Sequence, residues 1–384
     1  MTERLYYDNA YLTEFDAAVA AVRADGWIAL DRSAFYPTSG GQPYDTGTLN
    51  GAAVTDVTVQ DGVVWHKTAG EFSVGQPVHG KIDWDRRFEH MQQHAADHML
   101  AGAAWQLYGG VTIGLHLGRE DSTIDMDLPG GRTHLTAAEI DELETLVNRR
   151  VQQDDPIRCW FPAAEELEKL PLRKRPTVSE HVRVVAMGDY EMVACGGTHP
   201  RTTGQIGPIK IISCAPARGK MRLCFVAGMR AVRYMQRGLG CAVALSQALS
   251  SDFEGAAEAL QKEREVNLAA RRELNTRLTQ AALAALRASA RGNVYAGHLD
   301  FADHETLLHA AAELTREPEA VALLSCPRKD ARMLVFARGA AAKNDMAALL
   351  RGCGGRGGGK PDMAQGSAGD DAVLQKAIEE VIKA

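Results

Sequence analysis

Two pairs of residues restrict this chain more than anything else in it. His94 and His98 stand four apart, and so do Cys195 and His199, about a hundred residues further on. The first pair lies in Gln92-Gln93-His94-Ala95-Ala96-Asp97-His98, a stretch that reads as helix. There an i, i+4 spacing puts both imidazoles on one face, roughly 5–6 Å apart at Cβ. The second pair lies in Cys195-Gly196-Gly197-Thr198-His199, a turn whose glycines let two side chains converge. Alone, the histidine pair divides evenly between core histidines and half of a metal site. The distant turn tips the balance toward metal, because three imidazoles and one thiolate are ligands that zinc takes at about 2.0–2.3 Å. His90 continues the spacing of four, but three successive helical turns do not reach one ion, and it stays outside the site.

Four protein ligands close a tetrahedral zinc site, which is the mark of a structural ion, whereas chemistry needs an exchangeable position. A catalytic site here requires a displaceable fourth ligand or expansion to five-coordination. No His-Glu-x-x-His occurs, alanine standing at position 95, so a metalloprotease is the weaker reading.

The chain has 384 residues, enough for two to four domains, and a formal net charge of -6, which argues against a polybasic nucleic-acid binder while leaving room for a local basic face. Seven scattered cysteines make no disulfide framework and suit a reducing cytoplasm. The first residues lack a signal peptide, and no apolar stretch approaches the ~20 residues that cross a bilayer. The expectation is a cytoplasmic protein with no membrane partner.

The order of elements predicts an α+β protein. Residues 1–85 read as a small antiparallel β-barrel-like domain, with Asp61-Gly62 between two apolar runs as a hairpin signal. Residues 86–235 alternate helix and strand, an α/β domain carrying both candidate metal pairs; Thr136 with Glu139 forms a capping box there. The basic run Leu172-Arg173-Lys174-Arg175-Pro176 reads as a solvated loop. Residues 236–290 form a helical linker, with Phe253, Leu260, Asn267 and Leu274 at seven-residue intervals, spoiled by Glu263 and Arg277; a helical hairpin and a coiled coil are equally open. Residues 291–384 return to α/β, and 352–366 read as a glycine-rich loop, either flexible or phosphate-wrapping with Arg356 and Lys360 as anchors. It lacks the Gly-Lys-Ser/Thr ending of a Walker A motif.

Taken together, Phe35-Tyr36-Pro37-Thr38-Ser39-Gly40-Gly41-Gln42-Pro43, Gln93-His94-Ala95-Ala96-Asp97-His98 and Cys195-Gly196-Gly197-Thr198-His199 resemble the editing domain of alanyl-tRNA synthetase. They resemble even more the free-standing AlaX proteins. The run Gly357-Gly358-Gly359-Lys360-Pro361-Asp362-Met363-Ala364-Gln365-Gly366 is similar to the synthetase's C-terminal domain, and the long form of AlaX joins the two modules. The resemblance implies hydrolysis of serine from mischarged tRNA(Ala), with glycine as a second candidate. It also implies one zinc ion on His94, His98, Cys195 and His199, with Thr38 and Gln42 lining the amino-acid pocket and Thr38 meeting the serine hydroxyl. The family carries a glutamine after the His–His helix where this chain reads Gly114-Leu115-His116, which brings His116 into the catalytic set. No general base stands at either zinc motif, leaving the metal or the tRNA's own ribose to activate water. The chain opens directly on the β domain, so the expectation is an editor without aminoacylation activity. A homodimer through the linker and C-terminal domain, the latter also a tRNA-binding candidate, is the expected assembly. The alternative is a tRNA-binding or regulatory protein whose zinc is purely structural.

Overall fold

Asp61 and Gly62 both adopt positive φ, 51° and 76°, and join strands Ala52–Gln60 and Val63–Thr68 with Gln60 opposite Val63. That is the two-residue turn whose twist matches its flanking strands. The hairpin belongs to an antiparallel set running Glu14–Val22, Trp27–Leu30, Val63–Thr68, Ala52–Gln60, Gly47–Leu49, Pro77–Ile82, the last pairing back to the first. Phe15, Ile28, Leu30, Phe35, Val57 and Val64 fill its interior. The structure, a computed structural model, describes residues 1–176 and 181–383. They form two compact units, Met1–Cys241 and Ala242–Ala384.

The first unit is organised around the helix Trp84–Tyr108. Asp83 caps its start by accepting from Arg86 N, and Gly109, at φ 68°, ends it in the left-handed conformation that glycine adopts without strain. Met91, Ala95, Met99 and Ala103 are fully buried at helical spacing. They join a core with Leu143 and Val147 of the helix Ala137–Gln153 and with Ile124, Leu223 and Phe225 of a four-stranded antiparallel sheet. That sheet runs Ile209–Ala217, Lys220–Ala227, Ser122–Asp127, Val111–Leu117. Each fully buried Leu, Val or Phe adds about 1.5–3 kcal/mol. The capping box at Thr136 and Glu139 is formed. A three-stranded sheet, Ile157–Trp160, Val184–Met187, Glu191–Ala194, ends one residue before Cys195 and so delivers the second motif.

A buried ion pair fixes the helix to the strand ring. The Arg87 guanidinium, fully enclosed, donates through Nε to both Asp45 oxygens, at 3.0 and 2.9 Å, and also to the Ala10 and Ala34 carbonyls.

In the second unit a five-stranded sheet runs Val294–His298, Val321–Arg328, Ala331–Arg338, Met363–Ala368, Arg356–Gly359, with the first pair parallel and the others antiparallel. Alternate residues face two cores: Ala322, Leu324 and Val335 pack with the helix His304–Leu314, while Val321, Leu323 and Phe336 pack with Met346–Gly352 and Ala372–Lys383. The loop expected over 352–366 is corrected here. Arg356–Gly359 is an edge strand, and Lys360 turns it into Met363–Ala368 through paired backbone bonds with Met363. Glycine is required because a Cβ at Gly357 or Gly359 would stand 2.1 Å from the Gln365 or Met363 carbonyl oxygen. Of the spaced linker residues, Leu260, Asn267 and Leu274 lie in a helix, Ala256–Ala288, and Phe253 in the turn before it, with Phe253, Leu260 and Leu274 exposed. Asn267 bonds Glu263 of its own helix.

Candidate metal centre

The two motifs meet. His94, His98, Cys195 and His199 each offer a ligand atom, all within 4.8 Å of one another, in a group that could hold a metal ion. Cys195 Sγ lies 3.4 Å from both His94 Nε2 and His199 Nε2. Ligands 2.0–2.3 Å from one ion stand roughly 3.3–3.8 Å apart at tetrahedral corners, so these separations suit one. The helix supplies two imidazoles on one face, ring centroids 5.0 Å apart. The glycine turn supplies the rest at very close range: a Cβ at Gly197 would lie 2.1 Å from His94 Cε1. Glycine there is a condition for convergence.

The donor set fits a cation on chemical grounds. Both ring nitrogens of His98 and Nδ1 of His199 are buried without a hydrogen-bond partner among the described residues; a metal would take one nitrogen of each ring and so relieve part of that cost. Burial pushes His94 down to about 3, and burial with neighbouring imidazoles pushes His98 and His199 well below their ordinary value. All three rings are therefore neutral, the form that ligates. Burial pushes the Cys195 thiol up to about 12, against a Gly197 N–H that donates to its sulfur. Loading the site must displace that proton.

The other sequence candidates fall in different places. Gln42, expected in the pocket lining, is fully enclosed. Its amide Nε2 donates to Thr198 Oγ1 at 2.8 Å, and its Oε1 accepts from Thr198 N and faces His94 Nδ1 at 2.9 Å. A proton on Nδ1 donated to that oxygen leaves Nε2 free for an ion. Thr38 is exposed, its backbone N–H donating to Val57, and His116 is exposed on Val111–Leu117. Neither lines the cavity of ≈ 310 Å³ beside the cluster, which takes in Ser39, Asp97, Thr112 and Arg173 with His94, His98 and Cys195. Gly41 sits at φ 83° with its Cα against the Leu115 carbonyl, where a Cβ would come to 2.9 Å, and this seats the Ser39–Gln42 turn on Val111–Leu117.

Sequence reasoning gave no role to Asp97. It is 5 % exposed, its Oδ1 has no partner among the described residues, and burial raises it to about 7, with Arg173 pulling down and Glu191 pushing up. Its position three residues after His94, on the same helical face, is the signal that could have found it. Arg173, read as part of a solvated loop, is instead held at 2.9 Å by Glu191 in a nearly buried pair.

Parts of the chain match known families. A family model described as tRNA synthetases class II (A) matches residues 6–86, and one described as the threonyl and alanyl tRNA synthetase second additional domain matches 182–223. Alanine–tRNA ligase of Pyrococcus abyssi is 32% identical over 409 residues, and that of Thermococcus kodakarensis 33% over 405; each alignment covers 100% of this chain and 43% of the relative. The Archaeoglobus fulgidus enzyme is 38% identical over 245 residues, 61% of this chain and 27% of its own length. The chain thus spans less than half the length of these relatives. The solved C-Ala domain of Aquifex aeolicus alanyl-tRNA synthetase is 22% identical over 24% of this chain and 91% of its own, with a TM-score of 0.22, too low to carry an argument. No helix among the described residues is long and apolar enough to cross a membrane. By its motifs, and by relatives aligned along its whole length, the chain belongs to the alanyl-tRNA synthetase-like family.

Proposed function

We propose that this chain is a metal-dependent aminoacyl-tRNA deacylase that removes serine, and less selectively glycine, from tRNA(Ala) charged elsewhere, as the AlaX proteins it resembles do. One juxtaposition supports the reading: three members of a four-ligand cluster built from two distant motifs wall a cavity that also holds an unpartnered carboxylate oxygen. One zinc ion would be held by His94, His98, Cys195 and His199, and it supplies Lewis acidity toward an ester carbonyl or a water molecule. The reaction consumes one water. Its oxygen bonds to the acyl carbon, the acyl–oxygen bond to the ribose breaks, and free amino acid leaves a tRNA with its terminal hydroxyl restored.

The sequence assigned the serine hydroxyl to Thr38. Because Thr38 is exposed and outside the cavity lining, we assign that contact to Asp97, whose Oδ1 accepts the hydroxyl. Alanine leaves this buried oxygen unpaired, and sites of that kind discriminate by roughly 10⁴-fold. Glycine differs from alanine by one methyl, worth only about 1–3 kcal/mol. Gln42 acts through His94 as a positioning residue, and Thr38 and His116 stay outside the group that touches substrate. The 291–384 region is assigned to tRNA binding or dimerisation.

A second reading, a purely structural metal, is favoured by one observation: four protein ligands fill a tetrahedral site. Deacylation of Ser-, Gly- and Ala-tRNA(Ala) side by side, with metal content measured on the same sample, separates the two. Release of serine but not alanine by protein with one metal equivalent is the expected result. Intact Ser-tRNA(Ala) with the metal present would hand the site to the structural reading.

A further inference from the structure

The basic run at 172–176 is not absorbed by the metal centre, and its surroundings point to a ligand. Next to the cavity lies a larger cleft, ≈ 690 Å³, lined by Arg4, Tyr7, Phe161, Lys174, Arg175 and Arg183 among others, with Cys195 and Gly196 in its wall. Lys174, Cys195 and Gly196 line both spaces, so the cleft and the cavity adjoin.

We infer that this cleft receives the unpaired 3′-terminal nucleotides of the RNA whose ester occupies the cavity, an inference that rests on the deacylase reading. Four cationic side chains line it, and no carboxylate does among the described residues. In a chain of net charge -6 that is a local reversal of sign, as a polyanion requires. Arg175 makes no ion pair among the described residues, whose paired cations are Arg32, Lys81, Arg87 and others elsewhere. Among the described residues, Lys174 Nζ reaches only the Thr112 carbonyl, at 3.4 Å. Both therefore keep their charge available to phosphate.

Charge alone would also suit an acidic peptide; the rings favour nucleic acid. Phe161 is 49% exposed, and it meets Tyr7 edge-on at 5.6 Å. The Arg4 and Arg183 guanidinium carbons lie 5.8 and 5.3 Å from the Tyr7 ring centre. Arg183 is itself buried and fixed by the Cys195 and Gly197 carbonyls at 3.0 and 2.7 Å. Aromatic faces interleaved with cations are how proteins hold single-stranded nucleic acid without base readout. An ester on a terminal ribose must also have its last nucleotides beside the cavity, which is where this cleft opens.

The test uses uncharged RNA and the full chain loaded with zinc. Fluorescence anisotropy compares a short duplex carrying an unpaired 3′ tail with the same duplex made blunt. Wild-type protein should bind the tailed RNA more tightly. Phe161→Ala with Arg175→Ala should weaken that binding by roughly tenfold to a hundredfold and abolish the preference. Arg175→Glu alone, a change at an exposed side chain, should lower the salt dependence of log affinity by about 0.7 for each phosphate the protein no longer neutralises. Equal binding of tailed and blunt RNA by wild type, unchanged affinity in both variants, or equally effective competition by polyglutamate would overturn the assignment. Tail-dependent binding without hydrolysis of Ser-tRNA(Ala) would keep the cleft and sink the deacylase.

Discussion

Two buried polar centres hang from the helix Trp84–Tyr108, and they are built on opposite principles. At the first, Arg87 and Asp45 are both fully enclosed, and the guanidinium is shared between the carboxylate and two backbone carbonyls. At the second, two to three turns along, His98 has neither ring nitrogen partnered, and His199 Nδ1 and Asp97 Oδ1 are likewise alone among the described residues. The first centre is complete without anything else. The second is costly as it stands, and a bound metal and substrate would offset part of that cost. The contrast separates polar burial that holds a fold from polar burial that serves a site.

The sharpest way to break this comparison is to remove one partner from each centre. Asp45→Ala strands a buried guanidinium and should cost about 3–5 kcal/mol, read as a shift in urea midpoint that zinc does not restore. His98→Ala removes one of the unsatisfied groups. It should lose most of the stability that added zinc confers on wild type, while costing little in chelator. A loss below about 1 kcal/mol in Asp45→Ala would mean that the pair behaves like a surface bridge and that the contrast is false.

The same distinction can be drawn between imidazoles by pH. His66 is buried but satisfied, with Nε2 at 2.8 Å from Ser33 Oγ and Nδ1 facing the Ile28 carbonyl at 3.3 Å. Burial, against that carbonyl contact, depresses it to about 4. The unfolded ring titrates near 6.5, so between these values the unfolded chain binds more protons. Stability from this ring is complete above about pH 6.5 and falls as pH drops toward 4, at up to about 1.4 kcal/mol per pH unit. With chelator present, the gap in urea midpoint between wild type and His66→Gln should narrow over that window. A constant gap would show that His66 takes up its proton while folded.

What was legible in the sequence follows the same line. The helix, its i, i+4 histidines, the Asp61-Gly62 hairpin and the Thr136 capping box are local patterns, and each is set by residues within a turn or two. Convergence of Cys195 with His94 was inferred only by asking what ligand types would share. Asp97 stood inside the histidine motif without a role, because its isolation depends on what surrounds it in three dimensions. Glycine misled at 357–359, where composition read as a loop and the true constraint is the approach of a neighbouring strand. Arg173 misled in the opposite sense, since a basic run gave no hint of Glu191 eighteen residues later.

Asp97 sharpens the comparison from the side of function. Asp97→Ala should lower the preference for Ser- over Ala-tRNA(Ala) by at least roughly tenfold to a hundredfold, the scale of one lost hydrogen bond, and by up to roughly 10⁴-fold if Asp97 alone reads the hydroxyl. Zinc content should stay at one equivalent, since Asp97 is outside the ligand set. An unchanged ratio of kcat/KM values would remove Asp97 from specificity and return the hydroxyl contact to another residue of the lining.

Gln42 joins the two centres, and it gives the finest test. It stands three residues before Asp45, so one short segment supplies a partner to Arg87 and another to His94. Its oxygen faces His94 Nδ1 and accepts from Thr198 N, while its amide binds Thr198 Oγ1, so one side chain sets both a ring tautomer and the turn that carries His199. Partners of this kind are worth about 10–100-fold in metal affinity. Gln42→Ala should therefore weaken zinc binding by that factor in a chelator competition. Gln42→Glu keeps an acceptor for the Nδ1 proton and, if the tautomer is what matters, recovers most of the loss. Equal weakening in both variants would show that the donor to Thr198 dominates, and that the turn rather than the ring is what Gln42 holds in place.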